Sequence, residues 1–322
     1  RARKAPPGRG RRVQPSPDRD RPPRPLRRFG QNHLVDRGVF EAIVRQAAVR
    51  PDDVVLEVGA ADGLLTRPLL ERARVVHAFE VDARYAERLE CLAAGSPGLR
   101  VHLGDALKAR LGELDPPPTA LVANLAYNIA IPLVMTTVIE TPTIGRWAVM
   151  LQKELGERLF AAPGTKPYAA VSVLTQLACE LERTRPVARS AFRPRPNVDS
   201  TFVTFTRRPA AEGGSWMVGA ERLDAAGYVA VGALARRAFA QRRKQLANSL
   251  TGPVSGVPAT GTGGTRVESG RGRAAAPLAR ADVVRALEVV GAPPTARPEE
   301  LAPARWIAFA RALGALGILP SA

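Results

Sequence analysis

Val54-Val55-Leu56-Glu57-Val58-Gly59-Ala60-Ala61-Asp62-Gly63 is the stretch that decides how this chain folds. Its first half is short and apolar, the signature of a strand covered on both faces. Its second half carries two glycines, which let the backbone turn and pass close to a ligand at the start of the next helix. A helical pattern follows from Leu64 to Arg72. A dinucleotide-binding loop would read G-x-G-x-x-G, but Ala61 occupies the third position of that pattern and the spacing fits poorly.

The same alternation spreads in both directions. Val39 to Ala48 reads as an amphipathic helix. Val75-Val76-His77-Ala78-Phe79 is a second apolar run, ending in Glu80, with a helix from Ala83 to Ala93. Leu99 to Leu103 is a third run, ending in Gly104-Asp105, and Ala120 to Ala123 and Trp147 to Gln152 are the fourth and fifth. Ser200 to Arg207 alternates like a late strand. Strands that alternate with helices predict βαβ units and an α/β, Rossmann-like, doubly wound parallel sheet. After about Arg208 the pattern changes. Residues 221–250 and 277–315 read as helices and 251–276 as a flexible insertion rich in Gly, Thr, Ser, Pro and Arg. Residues 1–26 are rich in Arg, Pro and Gly and predict a disordered basic tail. The domains expected are therefore 27–208 and a small helical unit over 209–322.

The strand ends carry the chemistry. Glu57 lies in the first run, Glu80 ends the second and Asp105 closes the third. Glu80 is well placed to accept hydrogen bonds from two ribose hydroxyls, and Asp105 can reach an adenine amino group. This series of acid, glycine, acid and acid suits S-adenosylmethionine better than a nicotinamide cofactor. The fourth run leads into Asn124-Leu125-Ala126-Tyr127, where an amide and a phenol three residues apart can hold a flat, amine-bearing ring. Ligands of open α/β sheets bind at such strand ends.

Composition narrows the class. The 322 residues are 45% hydrophobic, and the formal net charge is +17. That charge predicts a polyanionic partner, nucleic acid first. Only five of the 47 basic residues are lysines; a GC-rich genome favours arginine, but arginine also binds phosphate bidentately and stacks on bases. No apolar run reaches the length of a membrane span and no signal-peptide core is present. Cys91 and Cys179 fall in segments that read as helices and predict buried free thiols. His33, His77 and His102 lack metal-ligand spacing, so no metal site is expected.

Longer motifs add a resemblance. Phe29-Gly30-Gln31-Asn32-His33-Leu34, Asn124-Leu125-Ala126-Tyr127, Gln152-Lys153-Glu154-Leu155-Gly156-Glu157-Arg158-Leu159, Ser190-Ala191-Phe192-Arg193-Pro194-Arg195-Pro196-Asn197-Val198-Asp199-Ser200 and Ala238-Phe239-Ala240-Gln241-Arg242-Arg243-Lys244 are similar to motifs of the rRNA adenine N6,N6-dimethyltransferases. One branch of that family dimethylates two adjacent adenines of small-subunit (16S) rRNA. The other contains the erythromycin-resistance enzymes, which act on 23S rRNA. The stretch at 238–244 resembles the small-subunit branch, while the basic arm is similar to resistance enzymes of GC-rich bacteria. The resemblance implies S-adenosylmethionine held by Asn32, the Leu34 backbone, Gly59, Glu80, Asp105 and Asn124. It implies catalysis at Asn124, Leu125 and Tyr127, with Phe192 packing the other side of the target base, and rRNA phosphates gripped by Arg242, Arg243 and Lys244. Ribosomal RNA or an assembling ribosomal subunit is the partner implied, in the cytoplasm, for a monomeric enzyme; the non-enzymatic alternative is an RNA-binding assembly factor. Three departures stand out. Ala126 replaces the proline of N-L-P-Y, Ala60-Ala61 replaces Pro-Gly in the cofactor loop, and His33 replaces phenylalanine.

Overall fold

The structure is a computed structural model that describes residues 23, 32–251 and 278–316. Phe29-Gly30-Gln31, the basic arm over 1–26 save Pro23, and the insertion over 251–276 save Thr251 lie outside the described residues.

The chain opens with β1 (His33–Leu34), α1 (Arg37–Gln46), β2 (Val54–Val58), α2 (Thr66–Leu70), β3 (Val75–Glu80), α3 (Ala86–Ala94) and β4 (Leu99–Leu103). It continues with β5 (Ala120–Asn124), α4 (Ala130–Glu140), β6 (Arg146–Gln152), α5 (Lys153–Leu159), α6 (Ala170–Ala178), β7 (Cys179–Val187), β8 (Phe192–Arg193) and β9 (Ser200–Arg207). A seven-stranded sheet has the order β4-β3-β2-β5-β6-β9-β7. Its first five strands are parallel, while β9 runs antiparallel to both β6 and β7. The inner parallel strands β2, β3, β5 and β6 read as largely apolar runs because both faces are covered, whereas β4 at the edge is only partly buried. Val55, Val76 and Val122 pack on one side with Ile43 of α1, Leu69 of α2 and Leu89 of α3. Leu56, Leu121 and Val149 pack on the other with Leu133 and Val134 of α4 and Leu177 of α6.

The chain leaves β2 toward one edge of the sheet and returns to β5 on the other side. β2 and β5 are neighbours, so their carboxyl ends form the crevice where ligands of such sheets bind.

Beyond β9 come a hairpin, β10 (Trp216–Val218) and β11 (Glu221–Leu223), and the helices α7 (Ala225–Phe239), α8 (Leu246–Ser249), α9 (Arg280–Val289) and α10 (Pro303–Ala315). These helices share the core of the sheet. Leu234, Leu287, Trp306 and Phe309 belong to the same buried cluster as Leu133 and Leu177. Tyr228 donates to the Leu174 carbonyl at 3.2 Å, Trp216 to Leu177 at 2.6 Å and Tyr168 to Leu301 at 2.8 Å. Gly232 makes the closest approach: a Cβ there would lie 2.8 Å from Leu174 Cδ2, so glycine is what lets α7 lie against α6.

Three expectations are corrected. Cys179 begins strand β7 rather than lying in a helix, and Cys91 in α3 is exposed. Both thiols are free, and burial pushes that of Cys179 up to about 12. The segment from 221 starts as a strand, and its helix begins only after Asp224, whose carboxylate accepts from Gly227 N–H at 2.7 Å. The pattern over Leu64–Arg72 yields only the five-residue α2. No helix among the described residues is long and apolar enough to cross a membrane.

Candidate functional site

A cleft open to solvent lies across the carboxyl ends of β4, β3, β2 and β5. It brings together Asn32, Gly59, Glu80, Asp105, Asn124, Leu125, Tyr127 and Phe192. Of the cofactor residues read from the sequence, only Leu34 is absent from its wall. The side chain of Leu34 is buried in the core, and its strand pairs with Phe192 across β1 and β8.

The loop after β2 is wound tightly. Gly59 and Gly63 have φ of 84° and 78°, and Ala61 between them is also left-handed at 48°. For alanine that conformation costs roughly 1 kcal/mol. A hydrogen bond holds it: Ala61 N–H donates to Glu80 Oε2 at 2.8 Å. The other carboxylate oxygen of Glu80, Oε1, accepts from Asp82 N–H at 2.8 Å. Each oxygen keeps a further lone pair. Glu80 is thus an oriented pair of acceptors, which fits a vicinal diol. Burial pushes its carboxyl up from the usual range while the backbone N–H groups of Asp82 and Ala61 pull it back.

Asp105 follows β4. Its Oδ1 accepts from Leu107 N–H at 3.0 Å, leaving Oδ2 as the acceptor for a ligand amine. Val81, Ala106 and Ile129 add apolar wall nearby. A nucleoside with a free amine and two ribose hydroxyls therefore meets matching groups. Among the described residues there is no group of three or more His, Cys, Asp or Glu side chains able to hold a metal ion.

At the end of β5, Asn124 Nδ2 donates to the Asn32 carbonyl at 3.2 Å, so the amide nitrogen is committed and its oxygen is the group on offer. Leu125 N–H is spent on the Met150 carbonyl at 3.2 Å. The turn closes with Ile129 N–H on the Ala126 carbonyl at 3.1 Å. Tyr127 is half-buried, with its hydroxyl 3.3 Å from Ser200 Oγ. Burial raises its phenol above the ordinary value, so the ring is neutral near pH 7. Phe192 is only 1% exposed and meets the cleft as part of its wall. Tyr127 is therefore the more accessible of the two rings.

Ala126 makes no hydrogen bond through its N–H among the described residues, and its φ is not positive. Proline fits both conditions. Ala126→Pro is expected to retain or raise the rate of methyl transfer by stiffening the turn; initial rates on one RNA substrate check this.

The contact of Ser200 with Tyr127 is not legible in the sequence, which shows Ser200 only as the end of a motif. Glu57, the first acid of the series at the strand ends, is corrected: it does not line the cleft but is 1% exposed, its Oε2 has no hydrogen-bond partner among the described residues, and its carboxyl is pushed up to about 8.

The basic cluster of the helical part divides. Arg242 donates to the Lys166 carbonyl at 2.5 Å and the Thr165 carbonyl at 3.0 Å, and it pairs with Glu299 at 3.9 Å. It ties the helices to the sheet domain, while Arg243 and Lys244 stay exposed.

A family model described as ribosomal RNA adenine dimethylase matches residues 25–259. The Ribosomal RNA small subunit methyltransferase A of Kineococcus radiotolerans is 43% identical over 241 residues, covering 73% of this chain and 76% of that protein. Its namesake from Rubrobacter xylanophilus is 36% identical over 291 residues, covering 90% and 96%. Among solved structures, the 23S rRNA methyltransferase ErmE superposes with a TM-score of 0.60 at 27% identity, covering 88% of this chain and all of that one, 100%. A dimethyladenosine transferase from Plasmodium falciparum gives 0.67 at 23% identity, covering 88% and 98%, a likeness of fold.

Proposed function

The chain belongs to the ribosomal RNA adenine dimethylase family, and from that premise we propose that it transfers methyl groups from S-adenosylmethionine to adenine N6 in small-subunit rRNA. The observation that carries this reading is the turn from Asn124 to Tyr127, set at the end of β5 beside the acceptors Glu80 and Asp105 in one cleft. The small subunit is supported by the relatives: the small-subunit enzymes are 43% identical over 73% of this chain and 36% over 90%, against 27% for ErmE over 88%.

S-adenosylmethionine, when bound, supplies a methyl group activated by its sulfonium. Glu80 accepts from its ribose hydroxyls, Asp105 from its adenine amine, and Asn32 and the loop at Gly59 face the remainder. The protein's task at the target is positioning. The exocyclic amine of adenine is a poor nucleophile because its lone pair is delocalised into the ring. Asn124 Oδ1 and the Leu125 carbonyl accept hydrogen bonds from N6 and aim that lone pair, and Tyr127 stacks on the base, with Phe192 as the wall behind it. No strong base is required, since the amine loses its proton readily once the new bond forms. Tyr127, held protonated, is not that base. The target adenine must leave its stack, at roughly a few kcal/mol, and base–aromatic stacking returns on the order of 1–3 kcal/mol. Arg243 and Lys244 supply phosphate contacts that set the RNA on the helical part.

The test is methyl transfer from labelled S-adenosylmethionine to ribosomal particles that lack the modification, with the product mapped by mass spectrometry. N6,N6-dimethyladenine in small-subunit rRNA supports the reading. Label in 23S rRNA, with macrolide resistance on expression, replaces it with the resistance activity. Ribosome binding without transfer replaces it with an assembly factor.

Glu80→Ala is expected to weaken S-adenosylmethionine binding about 10- to 100-fold, from the loss of hydrogen bonds to a charged acceptor. Calorimetric titration checks it, and unchanged affinity removes Glu80 from the ribose.

A further inference from the structure

We propose that His33 is a cofactor-binding residue of this chain, donating a hydrogen bond from Nδ1 to the carboxylate of the amino-acid portion of S-adenosylmethionine. The proposal rests on reading the cleft as the site of that cofactor. Side chains alternate along a strand, and β1 shows it: Leu34 turns into the core at 2% exposed, while His33 lines the cleft with Gly59, Ala61 and Glu80.

The ring is held in place. Its Nε2 lies 3.3 Å from the Tyr85 hydroxyl, with the two ring centroids 6.1 Å apart at 62°. Tyr85 is fully buried and its phenol is pushed up to about 12, so it keeps its proton. His33 Nε2 is the partner of that hydroxyl among the described residues, and in the tautomer proposed Tyr85 O–H donates to it. A neutral imidazole that accepts at Nε2 carries its hydrogen on Nδ1. Burial lowers the proton affinity of His33, while Asp62 from the loop after β2 and Asp82 from the turn after β3 oppose that. Arg84 is engaged with Asp82 at 2.5 Å.

The ligand's course then assigns the partner. With its amine at Asp105 and its ribose at Glu80, the remaining portion runs toward Gly59 and His33. That portion ends in an ammonium and a carboxylate. Among the described residues no lysine or arginine lines the cleft, so none of them offers the carboxylate a cation. An oriented N–H is the group that meets it, and the phenylalanine usual at this position in the family cannot provide one.

The experiment is calorimetric titration of the full chain with S-adenosylmethionine and with its decarboxylated analogue, which keeps the sulfonium, ribose and adenine. In His33→Phe the affinity for S-adenosylmethionine is expected to fall about 10- to 100-fold, with the analogue bound as in the unaltered protein. His33→Gln, which keeps an N–H donor, should recover part of the loss. The comparison is made within each variant, so a general folding defect lowers both ligands equally and does not mimic the result. An equal loss for both ligands, or no loss for either, overturns the proposal. Unaltered protein that binds neither ligand overturns the cofactor reading itself.

Discussion

Asn124→Ala lowers the single-turnover rate of methyl transfer about 10²- to 10³-fold, the scale seen when one pre-oriented polar group is removed from an active site, while S-adenosylmethionine still binds. The reason lies in how the amide is used. Its nitrogen is committed to the Asn32 carbonyl, which fixes the oxygen as the acceptor for N6. Alanine removes the acceptor and also the amide's hydrogen bond to the Asn32 carbonyl. The loss is therefore in positioning the nucleophile, and it belongs in kcat rather than in KM for the cofactor. The check is single-turnover transfer beside a binding titration. A variant with normal turnover withdraws Asn124 from catalysis, and one that no longer binds the cofactor moves its role to the cofactor site.

Glu57→Gln flattens the pH dependence of stability in the cofactor-free protein. Burial, together with the charges of Glu80 and Asp62, pushes the Glu57 carboxyl from 4.5 up to about 8. The folded protein therefore holds a proton that the unfolded chain releases. Stability from this group is complete below about pH 4.5 and is lost as pH rises through 8, by up to about 1.4 kcal/mol per pH unit. Across the window the loss is about 3 to 5 kcal/mol, large beside the total stability of most domains. Glutamine cannot ionise, so the variant gains on the unaltered protein from about pH 5 and the gain levels off near pH 8. Urea denaturation at several pH values checks this, and parallel curves for the two proteins place the titration elsewhere.

The parallel half of the sheet is legible in the sequence because β2, β3, β5 and β6 are buried on both faces and three of the strands stop at a polar group that marks the cleft. Glu80, Asp105 and Asn124 stand where their strands stop, and the structure brings them together. β7 was not legible. It reads Cys-Glu-Leu-Glu-Arg-Thr-Arg-Pro-Val, and its middle residues are exposed because it lies at the sheet edge. Charges and proline are what an edge strand uses to refuse further pairing, and they erase the pattern that marks a strand. The division of labour between Arg242 and its neighbours was also out of reach. Its carbonyl partners are 76 and 77 positions away in the chain, and no local pattern encodes them. Phe192 shows the same limit, since its motif is specific but its burial is decided by α1 and the other elements packed around it.

Two domains joined by a polar seam are expected to swivel, whereas a large apolar seam holds them still. Here Trp306, Tyr168, Tyr228 and Leu174 lie in one continuous core, and Gly232 lets two helices touch. The enzyme is then a gauge with fixed jaws. The span from the exposed Arg243 and Lys244 to the floor at Asn124 cannot be adjusted to suit a substrate. If Arg243 and Lys244 hold phosphates as proposed, the RNA does the bending, and an adenine at the wrong distance from its own backbone is expected to be turned away by length alone.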